Sequence, residues 1–193
     1  MKKLLPILVV PLFAGCLTSR PPTVAAWDVT ATASTETAAA PSFGVTRFSA
    51  LGVRAPYDVR AIAVRRADRS LAFDPYNNFA AVPSQLLKGV TLDVLDASGR
   101  FQNVVSGSSA AAVSHIVEVS VDEFLLDCSG FSDETPHREA VARVTVFVLD
   151  RDRKIVMKTR ATGVADATER DFGFAFSLAY TKALGKALAE PDR

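Results

Sequence analysis

The chain has 193 residues, of which 49% are hydrophobic and 22% charged, and its formal net charge is +1. This composition is that of one globular domain and excludes both a disordered chain and a protein with many membrane spans. A charge so near zero gives no general attraction to nucleic acid or to anionic lipid.

The first segment does not belong to the fold. Met1-Lys2-Lys3 is positive, Leu4 to Ala14 is apolar, and Ala14-Gly15 are small. That is a secretory signal, residues 1–15. It is too short to span a bilayer, which takes about 20 apolar residues, and Pro6 and Pro11 oppose a permanent helix. Phe13-Ala14-Gly15-Cys16 resembles the lipobox of bacterial lipoproteins, with Phe13 where leucine is usual. The resemblance implies a diacylglyceryl thioether on the Cys16 sulfur, cleavage before Cys16 and acylation of the new amino group. One acyl chain anchors marginally, whereas two or more anchor stably. Cys16 is therefore the expected lipid attachment point, residues 16–23 a lipidated tether and residues 24–193 the folded domain. Cleavage removes Lys2 and Lys3 and no acid, which takes the charge from +1 to −1. Leu17, in place of the aspartate that retains lipoproteins at the inner membrane, favours the outer membrane. The expected location is the periplasmic side of the envelope. With Cys16 lipidated, Cys128 has no cysteine to pair with, so the exported domain relies on its core. Cys128 follows Phe124-Leu125-Leu126 and reads as a buried, inert thiol.

Along the mature chain, Val24–Thr30 reads as a first strand and Ala31–Pro41 as a flexible Ala/Thr-rich connection. Phe43–Val53 and Asp58–Arg66 read as strands. "RRADRS" then turns the chain into a short strand, Leu71–Phe73, making a hairpin. Pro83 suits the first turn of a helix. Leu86, Leu87, Val90, Val94 and Leu95 form one helical face, and Ser98-Gly99 stops it. Gly89 in its middle costs about 1 kcal/mol of propensity, which close packing against a sheet would explain. Phe101–Val105 is a short strand, placed to pair in parallel and make the sheet mixed. Val113–Cys128 is a long strand with Val113, His115, Val117, Val119 and Val121 on one face. Its apolar phase shifts at Phe124 and Leu126, which predicts a bulge. Glu139–Leu149 and Lys154–Asp166 flank the turn "DRDR" and complete an antiparallel meander. Asp171–Ala189 is a helix with one stripe of Phe172, Phe176, Ala179, Ala183 and Ala187 and a second of Phe174, Leu178, Leu184 and Leu188. The order β-β-β-β-α-β-β-β-β-α predicts an α+β two-layer sandwich, with two amphipathic helices on one face of a mostly antiparallel, mixed sheet.

Chemistry-bearing motifs are missing. The sequence has no glycine-rich phosphate loop, nucleophile elbow, Cys-x-x-Cys or His-Glu-x-x-His. His115 lies on an apolar strand face and reads as a core or edge residue. His137 shares a loop with Asp133 and Glu134, which reads as a hydrated loop rather than a cation site. The arginines around Arg65, Arg66 and Arg69, and around Arg151 and Arg153, read as solvated turns. No catalytic residue, metal or cofactor is expected.

Ala55 to Val105 carries Leu71-Ala72-Phe73, then Tyr76-Asn77-Asn78-Phe79-Ala80, then a proline-started helix Pro83 to Leu95 closed by Ser98-Gly99-Arg100-Phe101. In this order the segment resembles the ABC-type transport auxiliary lipoprotein (PqiC-like) family, and the later hairpin and C-terminal helix match in pattern. The family often has Arg-Trp where this chain has Asn78-Phe79. The resemblance implies a non-catalytic lipoprotein working beside an ABC permease, its ATPase and an MCE-domain protein, moving phospholipid or other hydrophobic molecules between the envelope membranes. Tyr76, Asn77, Asn78 and Phe79 are then the expected partner interface. The expected partners are the MCE protein with its permease and ATPase, and the membrane through the acyl anchor, with no nucleic acid; self-association is compatible with the sequence. An assembly factor for an outer-membrane component is the alternative. A periplasmic hydrolase would need a Ser or Asp beside His115 or His137 in a cleft.

Overall fold

The computed structural model describes residues 23–32, 41–130, 137–167 and 171–189; Cys16, Asp133, Glu134 and most of the Ala31–Pro41 connection lie outside them. Eight strands and two helices follow the predicted order: β1 (Ala25–Trp27), β2 (Phe43–Val53), β3 (Ala61–Arg65), β4 (Leu71–Phe79), α1 (Pro83–Ala97), β5 (Phe101–Val105), β6 (His115–Asp127), β7 (Glu139–Leu149), β8 (Ile155–Asp166) and α2 (Phe172–Ala189).

β6 is the spine of the sheet. One edge pairs antiparallel with β7 from Ile116 to Asp127, and β7 pairs antiparallel with β8. The other edge is shared in tandem. β2 runs parallel beside residues 115–121 and β3 runs parallel beside Leu126 and Asp127. The parallel β5 lies outside β2, while the antiparallel β4 and then β1 lie outside β3. The sheet is thus mixed, with its longest ladders antiparallel, and the fold is the α+β two-layer sandwich expected.

Hydrophobic periodicity explains the core. Val117, Val119 and Val121 on β6, Ala142, Val144, Val146 and Val148 on β7, and Met157 and Ala165 on β8 all turn to the helices and are buried. α1 buries Leu87, Val90, Thr91, Val94 and Leu95. Pro83 opens α1, and the Ser84 N–H donates to Asp58 Oδ1 at 2.9 Å, so a loop carboxylate satisfies a free N-terminal amide. At the other end the Ser98 N–H donates to the Val94 carbonyl, and Gly99 takes the left-handed φ of 66° that stops the helix. α2 buries Phe172, Phe176, Ala179, Ala183, Leu184, Ala187 and Leu188. Its row of alanines and Gly163 on β8 let helix and strand backbones approach closely, because a Cβ on Gly163 would collide with the Ala179 carbonyl and the Ala183 nitrogen.

Three expectations need correction. Phe174 is 54% exposed and does not join the second buried stripe of α2; it lies on the side of the helix that faces solvent. Gly89 is exposed, and a methyl group in its place would meet nothing within 4 Å, so it is not a close-packing glycine. β4 does not stop at Phe73 but continues to Phe79, because the segment read as an exposed aromatic stretch pairs with β1 on one side and β3 on the other.

Candidate functional site

β3 and β4 are paired at Ala63↔Phe73 and again at Ala61↔Asn78, so four residues of β4 answer one residue of β3. Asp74 to Asn77 therefore bulge from the β3 ladder, while Asn77 pairs with Ala25 of β1 on the other side. Pro75, which has no N–H to give a ladder, fits such a position. The Asp74 carboxylate organises the bulge: Oδ1 accepts the N–H groups of Tyr76 (2.7 Å) and Asn77 (3.0 Å), and Oδ2 accepts Asn77 Nδ2 at 3.0 Å. Asn77 passes the restraint on, since its Oδ1 accepts the Trp27 indole N–H at 2.9 Å.

The four residues expected at a partner interface separate here. Tyr76 is 53% exposed at the tip of the bulge. Asn77 and Asn78 are half-buried; Asn77 is spent on Asp74 and Trp27, and Asn78 sits in register between Ala26 and Ala61. Phe79 is corrected from interface to core. It is 1% exposed, stacked 5.3 Å from Phe124 and edge-on 5.0 Å from Phe176. It occupies that pocket because the bulge reverses the alternation: Phe73, before it, pairs with Ala63 on the face away from the helices, whereas Phe79, after it, passes under α2. The expected lipid attachment point, Cys16, lies outside the described residues.

Beside the bulge is a cleft of about 380 Å³. Its floor is a row in register across three strands, Ala72, Val64 and Leu126. This row lies one step beyond Phe124, whose ring meets Phe176 and Tyr180 of α2. Pro75 and Tyr76 form an apolar wall, Cys128 reaches in from the end of β6, and Arg66, Asp74 and Arg138 stand at the rim. Tyr76, at 53% exposure, sets a large aromatic ring in solvent beside this concavity. Cys128 is half-buried rather than buried, so the inert-thiol expectation holds only in part; burial pushes its thiol above the ordinary range against the opposing Arg138 charge.

The face of the sheet away from the helices is charged. The predicted bulge in β6 falls between Val121 and Glu123 and turns both Asp122 and Glu123 to that face. Asp122 Oδ2 accepts Thr145 Oγ1 at 2.7 Å and meets Arg160 at 3.2 Å. Glu123 Oε1 meets Arg65 at 3.3 Å and Arg143 at 3.2 Å, and Arg65 also meets Asp127 at 2.8 Å. Burial alone would raise the Asp127 carboxyl, but hydrogen bonds from Ser129 and Arg65 outweigh it and hold it below its ordinary value. Arg65, read from sequence as a solvated turn residue, is a member of this network. Sequence alternation put Val117, Val119 and Val121 on the apolar face of β6 but gave no sign of the cross-strand partners of these acids.

The two histidines are apart. His115 is half-buried, edge-on to Phe43 at 5.1 Å, and its Nδ1 lies 3.0 Å from Ser114 Oγ, which also bonds the Val45 carbonyl. His137 Nε2 lies 3.0 Å from Glu139 Oε1, and with Asp166 these groups place their ligand atoms within 4.8 Å of one another at the surface. Glu139 and Asp166 are direct cross-strand partners, so the imidazole sits beside a facing pair of carboxylates.

Architecture and cleft define the class: a two-layer α+β domain, helices on one face of a mixed sheet, with an apolar concavity at the sheet end that the helices leave open. No protein-family model matches the chain, and no curated protein matches it. Among solved structures it shares its fold with protein XCC0632 from Xanthomonas campestris, of the DUF330 family, at a TM-score of 0.62 and 18% identity over 86% of this chain and 91% of that one. An uncharacterized protein matches with a TM-score of 0.53 and 11% identity over 86% and 92%. The hypothetical protein CT253 from Chlamydia trachomatis matches with a TM-score of 0.50 and 11% identity over 77% and 95%.

Proposed function

We propose that this chain is a lipid-anchored periplasmic lipoprotein acting as a non-catalytic accessory of an ABC/MCE-type transporter for phospholipid or other hydrophobic molecules. The observation that carries the reading is the lipobox Phe13-Ala14-Gly15-Cys16 ahead of a single folded domain. The fold shared with a DUF330 protein supports it, as does the sequence order of hairpin, aromatic segment and proline-started helix that resembles the auxiliary lipoproteins. No helix among the described residues is long and apolar enough to cross a membrane, so attachment through Cys16 is the route to the membrane that the sequence offers. The domain then stands within tether reach of its membrane and meets the MCE protein through surface groups, Tyr76 foremost.

Metabolic labelling with palmitate and membrane fractionation test the anchor. Wild type is expected to label and to sediment with envelope membranes. Cys16→Ser, secreted under a cleavable leader in place of residues 1–15, is expected to be unlabelled and soluble. An unlabelled wild type recovered from the cytosol refutes the reading. Pull-down from solubilised membranes, read by mass spectrometry, tests the transporter partners.

A further inference from the structure

We infer that the cleft beside the β4 bulge is a lipid-binding site that takes one acyl chain of an anionic phospholipid; the inference rests on the envelope-anchored reading above. Three observations support it. The first is chemistry and size. A row of Ala72, Val64 and Leu126 forms the floor, Pro75 and Tyr76 form the wall, and the volume of about 380 Å³ lies within the usual range for small-ligand sites, about 300–1,000 Å³. The Tyr76 ring, half in water beside an open apolar floor, loses unfavourable exposure when a hydrocarbon chain enters.

The second is charge. The rim carries two guanidinium groups, Arg66 and Arg138, and one carboxylate, Asp74. Asp74 is already committed to three donors within the bulge, the Tyr76 and Asn77 amides and the Asn77 side chain. The exposed Arg66 is therefore placed to meet a phosphate at the mouth, a pairing that its planar donors favour.

The third is placement. β1 pairs in parallel with β4 at Ala25↔Asn77, so the chain coming from Cys16 arrives beside Tyr76, at the lip of the cleft. Seven residues, 17–23, separate Cys16 from Val24, so eight residue steps span at most about 29 Å when fully extended. An acylated Cys16 thus holds the mouth of the cleft within that distance of a bilayer surface, where phospholipid is the abundant amphiphile.

Cys128 reports on the cleft from inside. The mature chain with Cys16→Ser, free of detergent, has this one thiol. Its alkylation by N-ethylmaleimide is measured against lysophosphatidylglycerol below the micellar concentration, with native mass spectrometry of the same samples. Expected are a saturable slowing of at least ten-fold, a one-to-one lipid adduct, and a weaker effect from lysophosphatidylcholine. Arg66→Glu is expected to erase the preference for the anionic headgroup, and Ala72→Trp to abolish both slowing and adduct at an unchanged circular dichroism spectrum. Should Ala72→Trp misfold, Tyr76→Ala, which opens the wall, takes its place. A natively folded chain that shows neither adduct nor slowing overturns the inference. So does acylated wild type whose Cys128 is already protected without added lipid while Cys16→Ser is not, because the occupant is then the protein's own anchor. Failure of palmitate labelling strikes the anchor reading and leaves the binding result to stand separately.

Discussion

The indole N–H of Trp27 donates to Asn77 Oδ1 at 2.9 Å, joining a three-residue edge strand to a bulge fifty residues away. The same Asn77 side chain donates to Asp74, so one amide closes a chain from carboxylate to indole. Three paired residues are too few to hold an edge strand by backbone bonds alone, and the indole adds a side-chain bond and a ring contact to Phe172 at 5.7 Å. Asn77→Ala is expected to cost about 1–3 kcal/mol, because it strands the half-buried indole N–H and one Asp74 oxygen. Hydrogen exchange in Ala25–Trp27 rising while β6 and β7 stay protected would confirm that the loss is local.

Phe79→Ala removes a ring held between Phe124 and Phe176. It is expected to lower stability by about 3–5 kcal/mol, the cost of a large core truncation. Tyr76→Ala, three residues away on the exposed bulge, is expected to stay within about 0.5 kcal/mol of wild type. Urea denaturation of both variants checks the pair; a mild Phe79→Ala would place the ring outside the core.

Two glycines give opposite signs. Gly89 sits exposed inside α1, free of neighbours, and Gly89→Ala is expected to stabilise by about 1 kcal/mol through helix propensity. Gly163→Ala forces a methyl into the α2 backbone at Ala179 and Ala183. Because a helix backbone cannot yield locally, that change should prevent close docking of β8 on α2 and lower the thermal midpoint sharply. Calorimetry of both variants reads the contrast.

Thr91 and Tyr180 join the two helices by a buried hydrogen bond of 2.7 Å. Thr91 Oγ1 also gives its proton to the Leu87 carbonyl at 2.6 Å, so Tyr180 is the donor between them. Burial pushes the Tyr180 phenol far above its ordinary value, outweighing the Thr91 bond. Tyr180→Phe leaves Thr91 satisfied by Leu87, whereas Thr91→Val leaves a fully buried hydroxyl without an acceptor. Thr91→Val is therefore expected to cost about 1–3 kcal/mol and more than Tyr180→Phe, with the double variant costing less than the sum. A double-mutant cycle in urea measures this.

Asp127 has a folded-state carboxyl held below its ordinary value of 3.8. A depressed carboxyl contributes stability that is full above the unfolded value and is lost as pH falls through the folded one. Asp127→Asn should therefore be less stable than wild type at pH 7, and the gap should close as pH falls below about 3.8. Urea midpoints of both proteins across pH 2.5–7 test the sign; a gap that persists at the acid end would assign it to packing.

Local chemistry determined a good deal by itself. Period-2 and period-3.6 patterning set the order of ten elements, Pro83 and Ser98-Gly99 set the ends of α1, and the broken alternation after Val121 marked the β6 bulge. These are legible because each depends on neighbours a few residues apart. Tertiary structure decided what those patterns leave open. Alternation shows which face of β6 is apolar but not that β2 and β3 share its edge in tandem, a parallel pairing that needs residues some sixty positions away. The four-residue bulge in β4 was hidden because Asp74 and Asn77 build it through side-chain bonds rather than through an apolar period. That bulge buried Phe79, exposed Tyr76 and opened the cleft, and the charged partners of Asp122 and Glu123 likewise came together only when four distant strands met in one sheet.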